Sequence, residues 1–381
     1  MKFLSKLFFS VMFIAIMVMV INAFLPGEEG SFIDRVLPSF GNNQQTEPEE
    51  EMDYSNYPAI TDLDGLRELV IDHREAGINE FSFLYSGTEK FDPLTVAELY
   101  GAGHVFWTLQ GKLYTVTLTD FPGTRILNAY QRGQESQLED EEKMVLDKAL
   151  QIVEDAKAQT EDSLELERIL YDALCEEITY YTDDTLLDDG KERPRYVSAI
   201  GALIDGKANC QGYTDAFYLV AGLAGFKVGR ISLETPTIGH MANTILLNGQ
   251  WYVVDVTYGD SEEAPVNYRL MNAGMDLIGE YWWDEAMAPY TIAETTDPDL
   301  YYYYVQDIVY EDLADFADAI VDQWDRTGAE EMVGMVRNEP DGSKLNDVLY
   351  LALSELNKAC SYRIWYHSNG TDSFYSVMFS S

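Results

Sequence analysis

Basic residues are scarce in this chain. Of its 381 residues, 25 are Lys or Arg against 66 Asp or Glu, and the formal net charge is −41. Nucleic-acid binding through phosphates needs clustered positive charge, so that class of function is excluded. The acidic balance implies solubility and a negative surface potential that repels anionic polymers. Cysteine is scarcer still, with three residues too widely spaced for a disulfide framework. With only four His beside them, no zinc motif can be assembled. Phosphate-loop and dinucleotide glycine fingerprints are missing, and so is a Ca2+-loop motif. No cofactor and no metal is expected.

Long apolar runs are absent beyond the N-terminus. There, Lys2 and Lys6 precede nineteen uncharged residues, Leu7 to Leu25, and Pro26, Glu28 and Glu29 follow. A run of ~20 apolar residues can span a bilayer. The flanking charges suit a cytoplasmic N-terminus and an exported body. Residues 1–26 are therefore expected to be a signal anchor. A cleaved signal peptide is the rival reading, but its apolar region would be long and the site around Ala23 is poor. The expected location is the extracellular face of a membrane, or secretion if the segment is cleaved. Residues 27–55, rich in Gly, Asn, Gln and Glu, read as an acidic disordered linker.

The remainder is long enough for two or three packed units. Residues 56–135 read as a small α-β-α-β-β module, with helices at 63–76 and 93–100 and strands at 80–85, 104–110 and 113–119. Residues 301–381 repeat that order, with helices at 313–326 and 345–358 and strands at 331–337, 362–366 and 374–379. Gly111-Lys112 and Asn369-Gly370 mark the closing hairpins. Such a pattern packs helices on one face of an antiparallel sheet, and its repetition reads as an internal duplication. Between the two lies a unit at 139–300. It opens with helix 140–159, where Val145, Leu146, Ala149, Leu150 and Val153 recur at core spacing. A second helix, 164–179, follows Asp162 and Glu165, a capping-box pair. Residues 180–195 read as an exposed loop.

The chemistry concentrates in the central unit. Cys210 sits in Gly206-Lys207-Ala208-Asn209-Cys210-Gln211-Gly212-Tyr213, directly before a helical run that Gly225 stops. A thiol at a helix N-terminus has its thiolate stabilised by the dipole and the unpaired N–H groups. His240 and Asp255 follow across a predicted β-hairpin whose turn is Asn248-Gly249. With that turn, Leu247 faces Gln250, Ala242 faces Asp255 and His240 faces Thr257. Period-two alternation then puts His240 and Asp255 on one face as diagonal neighbours, roughly 7–8 Å apart. A one-residue slip would separate them. Nucleophile, base and orienting carboxylate are the parts of covalent acyl transfer. Cys175 and Cys360, each on a helix, read as packed thiols.

Three blocks carry a family resemblance: Gly206 to Tyr213, Gly239-His240-Met241-Ala242-Asn243, and Trp251-Tyr252-Val253-Val254-Asp255-Val256-Thr257. They resemble the catalytic core of the transglutaminase-like superfamily, whose members include transglutaminases, cysteine peptidases, amidases and inactive binding domains. The resemblance implies an α+β fold with a papain-like or transglutaminase-like core. In it a helix carrying the Cys packs on an antiparallel sheet carrying the His and Asp, here flanked by the two small α/β modules. It implies Cys210 as nucleophile, His240 as general base and Asp255 as orienter. Two departures stand out: many relatives carry Trp where this chain has Ala242, and Trp-Asp where it has Tyr258-Gly259. Both are expected near the substrate groove.

For the oxyanion, the Cys210 backbone N–H is the obvious donor, with the Gln211 side chain or Tyr196 as a second. Asn243 is a supporting polar residue by resemblance, although the register puts it on the face opposite His240. Trp251, on the triad face, and Tyr258 are candidate groove residues. The aromatic runs Tyr281-Trp282-Trp283 and Tyr301–Tyr304 read first as packing and second as groove lining. The expected function is an exported cysteine acyl enzyme acting on peptide or side-chain amides. Its partners would be a protein or cell-wall peptide substrate and, through the N-terminal segment, a membrane. Hydrolysis is preferred to cross-linking, because water is the abundant acceptor unless a groove excludes it. The alternative is a weak or inactive surface-binding module on the same fold.

Overall fold

Alternating apolar residues between tight turns build the sheets of this protein, and helices cover them. The computed structural model describes residues 54–76, 78–88, 96, 100, 104–182, 194–234, 239–260, 265–278, 291–355 and 360–380. The expected anchor, most of the linker and the aromatic run at 281–283 lie outside the described residues. Among those described, no helix is long and apolar enough to cross a membrane. The fold is mixed α+β, with three four-stranded sheets and one two-stranded pair among the described residues.

The first sheet is built from β1 (Ala59–Ile60), β2 (Glu80–Tyr85), β3 (His104–Gln110) and β4 (Leu113–Thr119), with helix α1 (Leu63–Ala76) between β1 and β2. Leu66 and Val70 of α1 pack on Phe81, Phe83, Val105, Val116 and Leu118, so one face of the sheet is apolar. The opposite face carries Ser82 and Thr115, whose hydroxyls meet at 2.8 Å. Apart from Val96 and Tyr100, the helix expected at 93–100 lies outside the described residues. Strand β1, too short to carry a period, was not foreseen.

Helix α2 (Pro122–Gln131) was not foreseen either. Proline at its start supplies the first helical φ and lacks only an N–H that would be unpaired anyway. Its Ile126 and Leu127 join the large central core rather than the first module's cluster. That core continues through α3 (Asp140–Lys157) and α4 (Ser163–Glu177). Val145, Leu146, Ala149 and Val153 are buried there, and Leu150 packs at its border. Asp162 caps α4 by accepting the Glu165 N–H at 2.9 Å. The Glu165 carboxylate instead turns to Arg168, so the reciprocal half of the capping box is replaced by an ion pair.

The segment expected as loop from 180 begins differently. Strand β5 (Thr179–Tyr180) pairs in parallel with β6 (Lys207–Ala208), which immediately precedes the Cys helix. Two residues are too few for a periodic signal, so the pairing is a tertiary event. Residues 183–193 lie outside the described residues. Helix α5 (Cys210–Ala224) follows, ending at Gly225 with φ +109°. It is buried on almost every side and packs on the antiparallel sheet of β7 (Val228–Glu234), β8 (Gly239–Leu247), β9 (Gln250–Val254) and a later strand. The short helix α6 (Val256–Gly259) leaves the end of β9, and β10 (Met271–Ala273) closes the sheet in the order β10-β9-β8-β7.

The last sheet comprises β11 (Val309–Tyr310), β12 (Glu331–Val336), β13 (Ser361–Ser368) and β14 (Ser373–Ser380), with helices α7 (Leu313–Thr327) and α8 (Leu345–Glu355). Its order, β11-β12-β14-β13, repeats the first sheet's β1-β2-β4-β3, including a parallel leading pair. The inner face, with Met332, Val336, Val377 and Phe379, packs on Phe316, Ile320 and Leu349 of the helices. Strand alternation turns Met335 and Phe374 to the other face, and both enter the central core.

Asp215 fastens the Cys helix within this frame. Its side chain is fully buried and pairs with Arg230 of β7 at 2.7 Å. Its other oxygen accepts the N–H groups of Gly123 at 3.0 Å and Ala199 at 2.9 Å. The Arg230 guanidinium is stacked between the rings of Tyr218 and Phe121, 3.7 and 4.4 Å from their centroids. A Cβ on Gly123 would stand 2.5 Å from Asp215 Oδ1, so only glycine permits this approach of α2. Removing Asp215 strands the Arg230 charge and two backbone donors. Asp215→Ala is expected to cost about 3–5 kcal/mol, seen as a lower urea midpoint; an unchanged midpoint would show that the clamp is not stabilising.

Candidate active site

Asn209 starts the Cys helix. It lies in extended conformation, and its Oδ1 accepts the N–H groups of Gln211 at 3.0 Å and Gly212 at 3.2 Å. The cap accepts from Gln211 and Gly212 and not from Cys210 itself. Cys210 itself is partly exposed.

The hairpin forms in the expected register, with Leu247 opposite Gln250 and Asn243 opposite Val254. The ladder then ends, so the expected facing pair of His240 and Thr257 does not form. The chain turns after Val254 because the Asp255 side chain caps α6, accepting the Tyr258 N–H at Oδ1 over 3.0 Å. Its Oδ2 remains for His240 Nε2, 2.6 Å away. The Asp255 N–H donates to the Leu270 carbonyl at 3.1 Å, and its carbonyl accepts from the Tyr171 hydroxyl at 2.8 Å. The residue is thus held at four atoms, two side-chain and two backbone, while almost completely buried.

The Cys210 side chain is also close enough to the His240 ring to act on its charge. With Nε2 committed to Asp255, Nδ1 is the ring nitrogen left for the thiol. Burial opposes the charged imidazole, but the charge and hydrogen bond of Asp255, helped by Cys210, outweigh it and push its pKa up to about 10. The arrangement brings Cys210, His240 and Asp255 together and favours a protonated His240 in the resting site.

The remaining candidate residues separate. Gln211 stays beside Cys210, partly buried on the first turn of α5. Tyr196 is buried edge-on to Tyr181, and its carbonyl accepts the Asn209 N–H at 2.9 Å, so it supports the cap. Asn243 points into the protein. Its amide donates to the Thr214 and Gly229 carbonyls, each at 3.1 Å, binding the Cys helix to β7 instead of offering a donor to substrate. Trp251 is four residues up β9 from Asp255, about 14 Å at ~3.4 Å per residue. It packs against the central core, and its carbonyl accepts the Ala293 N–H at 2.9 Å. Tyr258 lies three residues past Asp255 and meets His367 of β13 edge to face, with centroids 5.7 Å apart.

The two departures have physical reasons. Ala242 is 1 % exposed and packed in the central core, so it does not line a groove as expected. At Gly259 a Cβ would stand 2.2 Å from the Tyr171 hydroxyl, the group that holds the Asp255 carbonyl. Tyr171 is a positioning residue that the sequence reading missed, since a tyrosine within a helical core pattern carries no distinguishing signal. The other thiols are placed as packing groups. Cys175 donates to the Val256 carbonyl at 3.8 Å and burial pushes its pKa up. Cys360 borders the C-terminal module's cluster. Among the described residues, no cluster of His, Cys, Asp and Glu could hold a metal ion.

No protein-family model and no curated protein matches the sequence. Solved structures do match. A transglutaminase is 12% identical over 50% of this chain and 54% of its own, at a TM-score of 0.28. A putative cysteine protease from Cytophaga hutchinsonii is 10% identical over 40% of this chain and 61% of its own, at 0.25. The periplasmic domain of TgpA from Pseudomonas aeruginosa, bound to ethylmercury, is 17% identical over 40% of this chain and 57% of its own, at 0.25. The chain thus spans little more than half the length of these structures. The similarity is to transglutaminase and cysteine-protease folds at low TM-score, and the chemistry of this chain is argued from its own side chains.

Two outcomes test the geometry. Because the His240 pKa is raised from 6.5 to about 10, its proton contributes stability that is complete below pH 6.5 and lost as pH rises through 10. The unfolding free energy is expected to fall across that window, and the fall to flatten in His240→Asn. Gly259→Ala is expected to cost roughly 1–3 kcal/mol by overpacking. Adding Tyr171→Phe should recover part of that loss in a double-mutant cycle, whereas strictly additive losses would mean the two groups do not collide.

Proposed function

We propose that this chain is a cysteine acyl enzyme, with a transglutaminase-like catalytic core at 139–300 flanked by α/β modules at 56–135 and 301–381. The observation that carries the reading is one imidazole lying between the Asp255 carboxylate and a Cys210 thiol at the start of a capped helix. In the proposed reaction the Cys210 thiolate, paired with the His240 imidazolium, attacks the carbonyl carbon of an amide. The oxyanion that forms faces the Cys210 N–H. His240 delivers its proton to the departing amine, leaving a thioester on Cys210. Water then attacks the thioester carbon while His240 takes its proton, and the carboxylic acid leaves as the sulfur regains its charge. Asp255 holds the ring and offsets the imidazolium charge throughout.

Hydrolysis is preferred to transfer onto an amine because the thiol is partly open to water. The substrate class is a peptide or side-chain amide of protein or cell-wall material. The N-terminal run Leu7 to Leu25 supports an exported, membrane-anchored form. The test is alkylation of Cys210 by iodoacetamide in a variant with Cys175 and Cys360 replaced by serine, followed by amide-substrate screening. His240→Ala is expected to lower amide turnover by roughly 10²–10⁴-fold, and Cys210→Ala to abolish it. Equal alkylation and turnover in the wild type and His240→Ala would sink the reading and leave a binding module in its place.

A further inference from the structure

The outer face of the C-terminal sheet does not close completely on the central core. Between the two lies a cavity of about 170 Å³. Its floor is Tyr303, Phe374 and Ser376, all buried, and its sides include Tyr258 and Trp365. Tyr366, 52 % exposed, stands at the rim. The volume is close to the roughly 150 Å³ of an apolar cavity that accepts benzene.

The surroundings restrict the charge of an occupant. A net charge of −41 opposes anions. The Arg269 guanidinium already lies 4.8 Å from the Tyr258 ring centroid, which opposes a second cation against that ring. Of the polar groups in the wall, Asn267 Oδ1 accepts the Arg269 N–H at 2.9 Å, and the His367 ring meets the Tyr258 hydroxyl through Nδ1 at 3.5 Å. A neutral ring gains offset and edge-to-face contacts with several aromatic walls at once.

We propose that this cavity is a binding pocket for a neutral aromatic ring. Through Tyr258, whose N–H holds Asp255, the pocket adjoins the candidate active site. If the acyl-enzyme reading is right, the ring belongs to the substrate or to an effector. The binding itself does not depend on that reading.

Binding of 4-fluorophenol to the full chain, followed by fluorine NMR, tests the pocket. Saturation at ~1 mM is expected for a probe of this size. Trp365→Ala should weaken binding at least fivefold, and Ser376→Phe, filling the floor, should abolish it in protein whose circular dichroism is unchanged. Should Ser376→Phe not fold, Trp365→Ala alone decides. Competition by the N-acetyl amide of phenylalanine, but not of leucine, would assign the ring to a peptide side chain. Binding of phenol without either amide would assign it to a free aromatic molecule. No saturable binding, unchanged binding in Trp365→Ala, or equal competition by the leucine amide would overturn the proposal. Cys210→Ala should bind the probe as the wild type does, so failure of the catalytic reading stays separate.

Discussion

A thiol at a helix N-terminus is only as well placed as the helix, and the burial of α5 governs the rest of this fold. The helix is enclosed on almost every side, which forces each of its polar groups to find a partner. Asp215 satisfies that requirement by drawing in Arg230, Gly123 and Ala199. Thr214 does the same, donating its hydroxyl to the Met241 carbonyl at 2.9 Å while its own carbonyl accepts from the Asn243 amide at 3.1 Å. Four separate stretches of chain are thereby keyed to one helix. Cys210 is held against β8 because the next turns of its helix have no other way to pair their polar groups.

The geometry of the candidate site follows the same logic at smaller scale. Asp255 is nearly inaccessible to water, and a buried carboxylate must be paired or hydrogen-bonded. One oxygen caps α6 and the other meets His240, so the residue that ends the strand also aims the imidazole. Tyr171 fixes the backbone of Asp255 from behind. Gly259 is the local consequence, since the space a side chain would need is taken by that hydroxyl.

The two outer modules share a strand order but differ in the chemistry of their second face. In the first sheet that face presents hydroxyls such as Ser82 and Thr115, and the module keeps a core of its own. In the last sheet it presents Met335 and Phe374, which merge with the central core. A repeated topology therefore has different packing roles, decided by the alternate residues of otherwise similar strands.

Much of this was legible in the chain itself. The Asn248-Gly249 turn and the alternation around it determined the register of β8 and β9, hence the phase of His240 and Asp255. Gly225 marked the end of the Cys helix, and the apolar period marked the buried side of α3. These are local signals, carried by residues within a few positions of one another. What only the tertiary structure decided was long-range. Asp215 and Arg230, Tyr171 and Gly259, and β5 and β6 are partners far apart in sequence, and no period or turn announces them. The same holds for Asn243, Ala242 and Trp251, whose groove or oxyanion roles gave way to packing once the helix and the sheet edge claimed their surroundings. Local sequence sets backbone conformation and phase, whereas the direction in which a polar side chain is satisfied depends on which distant groups burial brings beside it.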